Sequence, residues 1–490
     1  MLKLNNIKNH ISKFISFDQT CSEHGLLKYI TLYTIACACI LFYITMPPQV
    51  SLLTLDSESY INFDASRTVG YPLFLTLIKK LTGGYESIPL IQLTLFTISV
   101  TQFTATFMRS IKSFFLPLIF LLITFSLDGI MQFHFEIMTE SLFLSALMFL
   151  GTLWLLFIGI PSRTHVIWLG VIVGTLILIR PSGYVIFIAA SLLFCVKWSW
   201  IKQYSLSFII PVICALSLGS FVNYHLHGFF KTQSFLGHNL FGKVAFILKE
   251  DMTDTNPIKQ KMITHMTKAM LPFQQSLAPI QSNKHYYNLA APIYDILRYH
   301  FLGQFQSTIP EMNTIPNHDD FYKDIAMSVI KQNPIGYGKD VLFNYAALWL
   351  LWDLNTKAER AELNTQIQKL KASETFKAVK LDYAYIKTYG KSSTFIHLVR
   401  TYLIACFMVS LYFMFGALIA ILKRKELTNE SLIGLFCALA IHASFGLTAL
   451  LQAGYPRYAM IMWTYIFIMS LVFFKMMCTF ILTKRKPFLS

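Results

Sequence analysis

Long apolar stretches, separated by short polar connections, dominate the pattern along the chain. The apolar runs lie near 29–46, 88–108, 114–132, 138–158, 165–179, 182–197, 204–222, 395–422, 431–451 and 457–482. A helix needs roughly 20 apolar residues to cross a bilayer, and its backbone groups are satisfied within the helix. The pattern therefore predicts an all-α polytopic membrane protein with about ten transmembrane helices.

The polar stretches divide the chain into parts with different expected roles. The parts are a cytoplasmic N-terminus (1–28), a transmembrane core (29–222) with a first outer loop (47–87), a large outer loop or domain (223–394), C-terminal transmembrane helices (395–482) and a cytoplasmic tail (483–490). Within the first outer loop, Leu73–Leu81 is amphipathic and too short to span, which predicts a helix on the membrane surface. Val341–Trp352 is likewise short and ends in tryptophan, which predicts an interfacial helix, and Thr356–Val379 has helical composition.

Arg180 and Pro181 interrupt one apolar stretch and split it into the runs 165–179 and 182–197. With this split, all the short basic connections fall on one side of the membrane: Arg109–Lys112, Arg163–His165, Lys197–Lys202, Lys423–Lys425 and Lys484–Lys486. That arrangement follows the positive-inside rule and predicts that both termini are cytoplasmic. The alternative, a single span over 165–197, would place the later basic connections outside.

Charge is scarce, and its scarcity excludes whole classes of protein. Charged residues make up 13% of the chain and hydrophobic residues 55%, so too few charged groups remain to cover a soluble surface. A soluble enzyme, a disordered chain and a nucleic-acid-binding module are therefore excluded. The net charge of +16 is explained by positive-inside topology and contact with anionic lipid.

Familiar cofactor motifs are missing or incomplete. Gly237–Val244 resembles a phosphate-binding loop, but valine replaces the serine or threonine that would bind magnesium. The eight cysteines show no disulfide framework or metal-ligand spacing. No cofactor is predicted with certainty.

Several acidic residues fall at the predicted outer face, where they are candidates for catalysis. Asp56 follows the first span in a largely apolar loop, and its simplest alternative role is to cap the short helix that Ser57 begins. Glu136 and Glu140 flank the start of the fourth span and are predicted to share a helix face, although Glu136 also suits a solvated interface. Glu140 lies deeper and is harder to explain by solvation. Asp128 and Glu58 are further acidic candidates.

Arginines accompany these acids at the same predicted face. Arg67 lies in the first loop, Arg180 between two apolar runs and Arg457 at the start of the last span. Each could simply extend its charged end to the interface, but several on one face suit a phosphate, because the guanidinium group matches its oxygens. Carboxylates and arginines beside apolar grooves suit chemistry on a polar head carried by a lipid phosphate, with a carboxylate as general base.

Several short motifs follow one another along the chain: Asp56-Ser57-x-x-Tyr60, Arg67-x-x-Gly70-Tyr71-Pro72, Met138–Phe143, Leu178–Gly183, Asn333–Tyr337 and Gly454–Tyr458. Together they resemble the membrane-embedded GT-C glycosyltransferases, in particular bacterial relatives of protein O-mannosyltransferases and of the lipid A aminoarabinose transferase. Their order and their shared sidedness carry the resemblance, which covers roughly 50–200 and 325–465.

The resemblance implies a glycosyltransferase of the bacterial inner membrane whose active site faces the periplasm. It implies direct, inverting transfer of a sugar from a polyprenyl-phosphate donor to a lipid A, glycan or protein acceptor. Asp56 would be the catalytic base and Glu140 a second acid near the acceptor or a metal. Arg457, Arg67, Arg180 and Tyr458 would face the donor phosphate. The family often places a further acid directly after the loop aspartate; here that position is Ser57, with Glu58 one position further on, so the resemblance allows a divalent metal and leaves metal dependence open.

Two other functional classes stay open at the level of sequence. A polysaccharide polymerase or O-antigen ligase has a similar number of spans, but it would carry its key arginines in the large outer loop. A flippase or transporter would carry charges near the middle of the bilayer. The clustering of charge at one predicted face favours an enzyme at the membrane interface.

Overall fold

A computed structural model describes residue 32, residues 35 and 36, 53 and 54, 56–277, 309–315, 317–350, 393–451 and 456–483. Within these residues the chain forms helices and no strands, which agrees with the predicted all-α class. The first predicted span (29–46), the segment Thr356–Val379 and both termini lie essentially outside the described residues.

The described residues form sixteen α-helices. They are α1 (Ser57–Ile61), α2 (Gly70–Thr82), α3 (Ile88–Ile111), α4 (Phe115–Ser126), α5 (Asp128–Gln132), α6 (Thr139–Gly159), α7 (Arg163–Ile179), α8 (Gly183–Phe194), α9 (Trp198–His227), α10 (Leu236–Val244), α11 (Pro257–Leu277), α12 (His318–Gln332), α13 (Pro334–Leu350), α14 (Ser393–Leu422), α15 (Asn429–Leu451) and α16 (Pro456–Thr483). Short 3-10 turns occupy Ala245–Ile247 and Pro310–Thr314.

Six of the described helices are long and apolar enough to cross a membrane: α3, α6, α9, α14, α15 and α16. Helices α4, α7 and α8 are apolar but shorter. Leu206, Ile210 and Ile213 of α9 are more than half exposed, an arrangement that suits lipid rather than water. These features identify a multi-pass membrane protein.

Two helix breaks control the geometry of this membrane part. The predicted break at Arg180–Pro181 is present, since α7 ends at Ile179 and α8 begins at Gly183. With 12 residues, α8 is about 18 Å long, shorter than the ~30 Å hydrocarbon core. The prediction of one helix over 114–132 is wrong, because the chain is extended at Leu127 and separates α4 from α5.

The chain forms two compact units. The first unit comprises Met1–Gln233, Met408–Ser444 and Met460–Ser490, and in it α6 packs against α3 and α7, while α7 packs against α9. Gly174 of α7 lies against Ala215 of α9 with no room for a side chain, which shows how closely these two helices approach. The predicted boundary at 222 falls inside α9, which continues to His227.

The second unit comprises Ser234–Phe407 and Phe445–Ala459 and has its own hydrophobic core. Helices α10 and α12 pack together around buried Phe241, Tyr322 and Val329. Asp319 accepts hydrogen bonds from the backbone and the ring of His238 at the start of α10. The segment that resembled a phosphate-binding loop is therefore part of an α-helix, and Asp319 of α12 accepts from one of its first N–H groups. The predicted interfacial helix is α13, which begins earlier, at Pro334.

Candidate functional site

Asp56 lies at the start of α1, but its side chain does not cap that helix. Its Oδ1 atom instead accepts a hydrogen bond from Nη2 of Arg67 at 2.6 Å, and both side chains are about 15% exposed. Asp56 therefore does not have the helix-capping role that was the simplest alternative from the sequence. The carboxylate is partly open to the surface and is held by an arginine from the other end of the same short loop.

Arg67 uses all sides of its guanidinium group within this loop. Nε donates to Oγ of Ser59 at 2.7 Å, Nη1 to Oη of Tyr60 at 3.1 Å, and the group lies 4.3 Å from the centre of the Tyr60 ring. A planar donor fork can satisfy several acceptors at once, which a lysine ammonium cannot do with the same geometry. Arg67 thus fixes the position of Asp56.

Glu140 and Arg180 form a second ion pair, deeper in the protein. Nη1 of Arg180 lies 3.0 Å from Oε1 of Glu140, and the Glu140 side chain is 1% exposed. Glu140 is in the first turn of α6, where the helix dipole favours a negative charge, and Arg180 directly follows α7. Because α7 ends at Ile179, Arg180 lies where its side chain can pair with the buried Glu140.

Hydrogen bonds to backbone carbonyls attach the first loop to the two segments that carry this second pair. Oγ of Ser57 donates to the carbonyl of Ile137 at 3.0 Å, and Oγ1 of Thr68 donates to the carbonyl of Ile179 at 2.8 Å. Gly70 lies so close to the end of α7 that a Cβ atom there would be 2.7 Å from the Leu178 carbonyl. The loop is thereby fixed beside Glu140 and Arg180.

Tyr60 lies among these four charged groups. Its side chain is buried, and burial raises the pKa of its hydroxyl, with Arg67 and Arg180 opposing the shift and Asp56 and Glu140 adding to it. The hydroxyl is therefore protonated at neutral pH. Sequence reasoning gave Tyr60 no role, although it belongs to the motif Asp56-Ser57-x-x-Tyr60.

A network of polar contacts joins the first loop to α3 and to the connection before α6. The ring of Tyr71 packs edge-on against Tyr60, and its hydroxyl donates to Oε1 of Gln92 at 3.0 Å. Nε2 of Gln92 in turn donates to the carbonyls of His134 and Glu136 at 3.0 Å each. These bonds fix the connection that leads into Glu140.

None of the additional acidic candidates is buried. Glu58 is exposed on α1, and Asp128 is exposed at the start of α5. Glu136 is partly exposed and accepts a hydrogen bond from Gln132 at 2.8 Å. The prediction that Glu136 and Glu140 share a helix face is wrong, because α6 begins only at Thr139.

Arg457 and Tyr458 both lie in the first turn of α16, within the second unit. Tyr458 is 9% exposed, whereas the side chain of Arg457 lies outside the described residues. Their predicted contact with a donor phosphate stays a prediction.

A metal site is not assembled among the residues that the structure describes, since no three His, Cys, Asp or Glu side chains come close enough to bind one ion. The two acids of the site are each paired with an arginine instead.

Comparison with known proteins adds no family assignment. The sequence matches no protein-family model, and searches of curated proteins and of solved structures found no similar protein. The resemblance to GT-C glycosyltransferases therefore depends on the short sequence motifs alone.

Proposed function

We propose that the protein is an integral membrane glycosyltransferase. It would move a sugar from a polyprenyl-phosphate donor to a lipid, glycan or protein acceptor on the outer face of a bacterial inner membrane. The observation that carries this proposal is that Asp56 and Glu140, 84 positions apart in the chain, lie around one buried tyrosine, each beside an arginine. Such a group of acids and cations, with Glu140 at the very start of the apolar helix α6 and Asp56 in the loop beside it, suits transfer of a phosphate-linked group at the membrane surface.

The proposed reaction is a single displacement. The acceptor oxygen bonds to the anomeric carbon on the face opposite the phosphate, and its proton passes to the Asp56 carboxylate. The bond from the anomeric carbon to the phosphate oxygen breaks, and polyprenyl phosphate leaves with the electron pair. The configuration at the anomeric carbon is thereby inverted.

The arginines have distinct roles in this proposal. The guanidinium N–H groups of Arg67 donate hydrogen bonds to Asp56, Ser59 and Tyr60. This arrangement suits positioning of the base more than binding of the lipid-linked sugar. Arg180 is only 13% exposed and is balanced by Glu140, so it would supply charge to the phosphate without leaving its partner. Arg457 stays the candidate for direct phosphate contact.

Substitution of Asp56 tests this function in cells. Asp56→Asn keeps the size of the side chain and removes its basicity, so we expect normal abundance in the membrane but loss of the glycan product from the mass profile of lipopolysaccharide and glycoprotein. Glu58→Gln is the matched control, because it removes an exposed carboxylate two residues away. A product unchanged in Asp56→Asn would remove Asp56 from the mechanism.

A further inference from the structure

A polar cleft lies in the first unit, at the opposite end of α3 from the site described above. It has a volume of about 460 Å³ and is lined by Ser110, Lys112, Lys197, Glu426, Leu427, Thr428, Asn429, Glu430 and Lys475. Gln92 supports the site near the start of α3 and Lys112 follows its end, so about 30 Å of helix separates the two. The cleft is therefore a separate place for a ligand.

One lysine of the cleft lies at membrane depth. Lys475 falls inside the apolar span Tyr458–Leu482, about 10 Å before its end. Its Nζ atom lies 2.7 Å from Oε1 of Glu430, which begins α15. A charge at this depth is costly and is usually retained for function, paired and facing a polar cavity. The cleft thus brings polar groups into the edge of the apolar layer.

A second lysine of the cleft, Lys112, carries a positive charge that no acidic side chain among the described residues neutralises. Lys197 pairs with Glu426 at 3.6 Å, and Lys475 pairs with Glu430, whereas the exposed ammonium group of Lys112 contacts no acid among the described residues. With three lysines and two glutamates in its lining, the cleft has a formal excess of one positive charge. The start of α15 adds the positive end of a helix dipole at the same place.

The backbone at Lys112 determines which variant can test this residue. Lys112 ends α3 with φ of 48°, in the left-handed region where glycine or asparagine is preferred. Phe63 and Arg424 share this conformation, and a left-handed residue is a common way to end a helix, so the conformation itself assigns no role to Lys112. It does mean that glycine suits the backbone at this position.

We infer that this cleft binds the phosphodiester headgroup of a membrane phospholipid through Lys112. A phosphodiester carries one negative charge, which matches the excess charge of the lining. The position of Lys475 at the edge of a span suits a headgroup held at the membrane surface more than a free anion from solution. This inference does not depend on the proposed transferase activity.

Lipid retention by the purified full chain tests the inference. The probe is phosphatidylglycerol in micelles with an equal amount of phosphatidylcholine, and the readout is the number of lipids retained in native mass spectrometry. We expect Lys112→Gly to lower the apparent affinity for phosphatidylglycerol about fivefold, and Lys112→Arg to preserve it. Glycine suits the left-handed conformation at this position, so we expect Lys112→Gly to melt at the wild-type temperature, and that measurement separates lost binding from lost folding.

Two controls make the test decisive. Lys202→Gln removes a lysine of α9 that is outside the cleft lining, and it should retain phosphatidylglycerol like the wild type. Millimolar inorganic phosphate should not displace the lipid. Unchanged retention in Lys112→Gly, equal loss in Lys202→Gln, or displacement by inorganic phosphate would each overturn the inference.

Discussion

Single side chains account for the geometry of the site, because each acid is held by one arginine. Asp56 is held from within its own loop by Arg67, and Glu140 is held by Arg180 from 40 positions away. The sequence identified all four residues as candidates, since charge is rare enough in this chain to be conspicuous. It did not reveal which acid pairs with which arginine, because pairing depends on how distant segments pack.

Removal of one member of the buried pair should destabilise the protein. Glu140→Gln leaves Arg180 without its counter-charge in a site that is almost closed to solvent, and we expect a loss of about 3 kcal/mol. The free energy of unfolding in detergent measures this effect. Glu136→Gln, four residues earlier and partly exposed, should change it by less than ~0.5 kcal/mol. Equal stability of Glu140→Gln and the wild type would show that the pair is not formed.

At the scale of elements, the site is built from helix ends and short helices rather than from the spans themselves. The first loop with α1 and α2 lies against the start of α6 and the end of α7. Proline made the break after α7 predictable, since Pro181 cannot continue a helix hydrogen-bond ladder. No such residue marks the break at Leu127, and the prediction of one continuous helix failed there.

Close approach of α2 to α7 is open to a direct test at Gly70. Gly70→Ala adds a Cβ atom 2.7 Å from the Leu178 carbonyl, so the two elements must separate, at a cost of about 1–3 kcal/mol. We expect a lower melting temperature and slower transfer, since the loop carries Asp56. Gly446→Ala in α15 is the control, because nothing lies within 4 Å of its added methyl group and alanine favours a helix. If Gly70→Ala melts like the wild type, the approach is less close than described.

At the scale of the whole molecule, most of what could be predicted from the sequence came from the amount and distribution of charge. Scarce charge and long apolar runs identified an all-α membrane protein, and the structure agrees. Exact helix ends were less predictable, because polar residues such as Lys202 continue α9 beyond its apolar part. The second unit was the least predictable part, because a small core such as the one around Tyr322 produces no clear periodic pattern of hydrophobic residues in the sequence.

The proposed sidedness predicts which positions a membrane-impermeant thiol reagent reaches. In a cysteine-free chain, Glu58→Cys should react in cells with a permeable outer membrane and an intact inner membrane, because the first loop is placed outside. Lys202→Cys should react only after lysis. Both residues are exposed, so a difference reports on the side of the membrane and not on burial. Labelling of Lys202→Cys in intact cells would reverse the proposed topology.

Transfer by the purified protein tests the central claim most directly. The protein would be incubated in phospholipid vesicles with a polyprenyl-phosphate sugar, labelled in the sugar, and with an extract of cell-envelope acceptors. We predict that the label moves to an acceptor, that polyprenyl phosphate is released in equal amount, and that Asp56→Asn abolishes both while Glu58→Gln does not. If the labelled lipid crosses the bilayer intact, without cleavage of the sugar–phosphate bond, the protein is a lipid transporter and the proposal of a glycosyltransferase is contradicted.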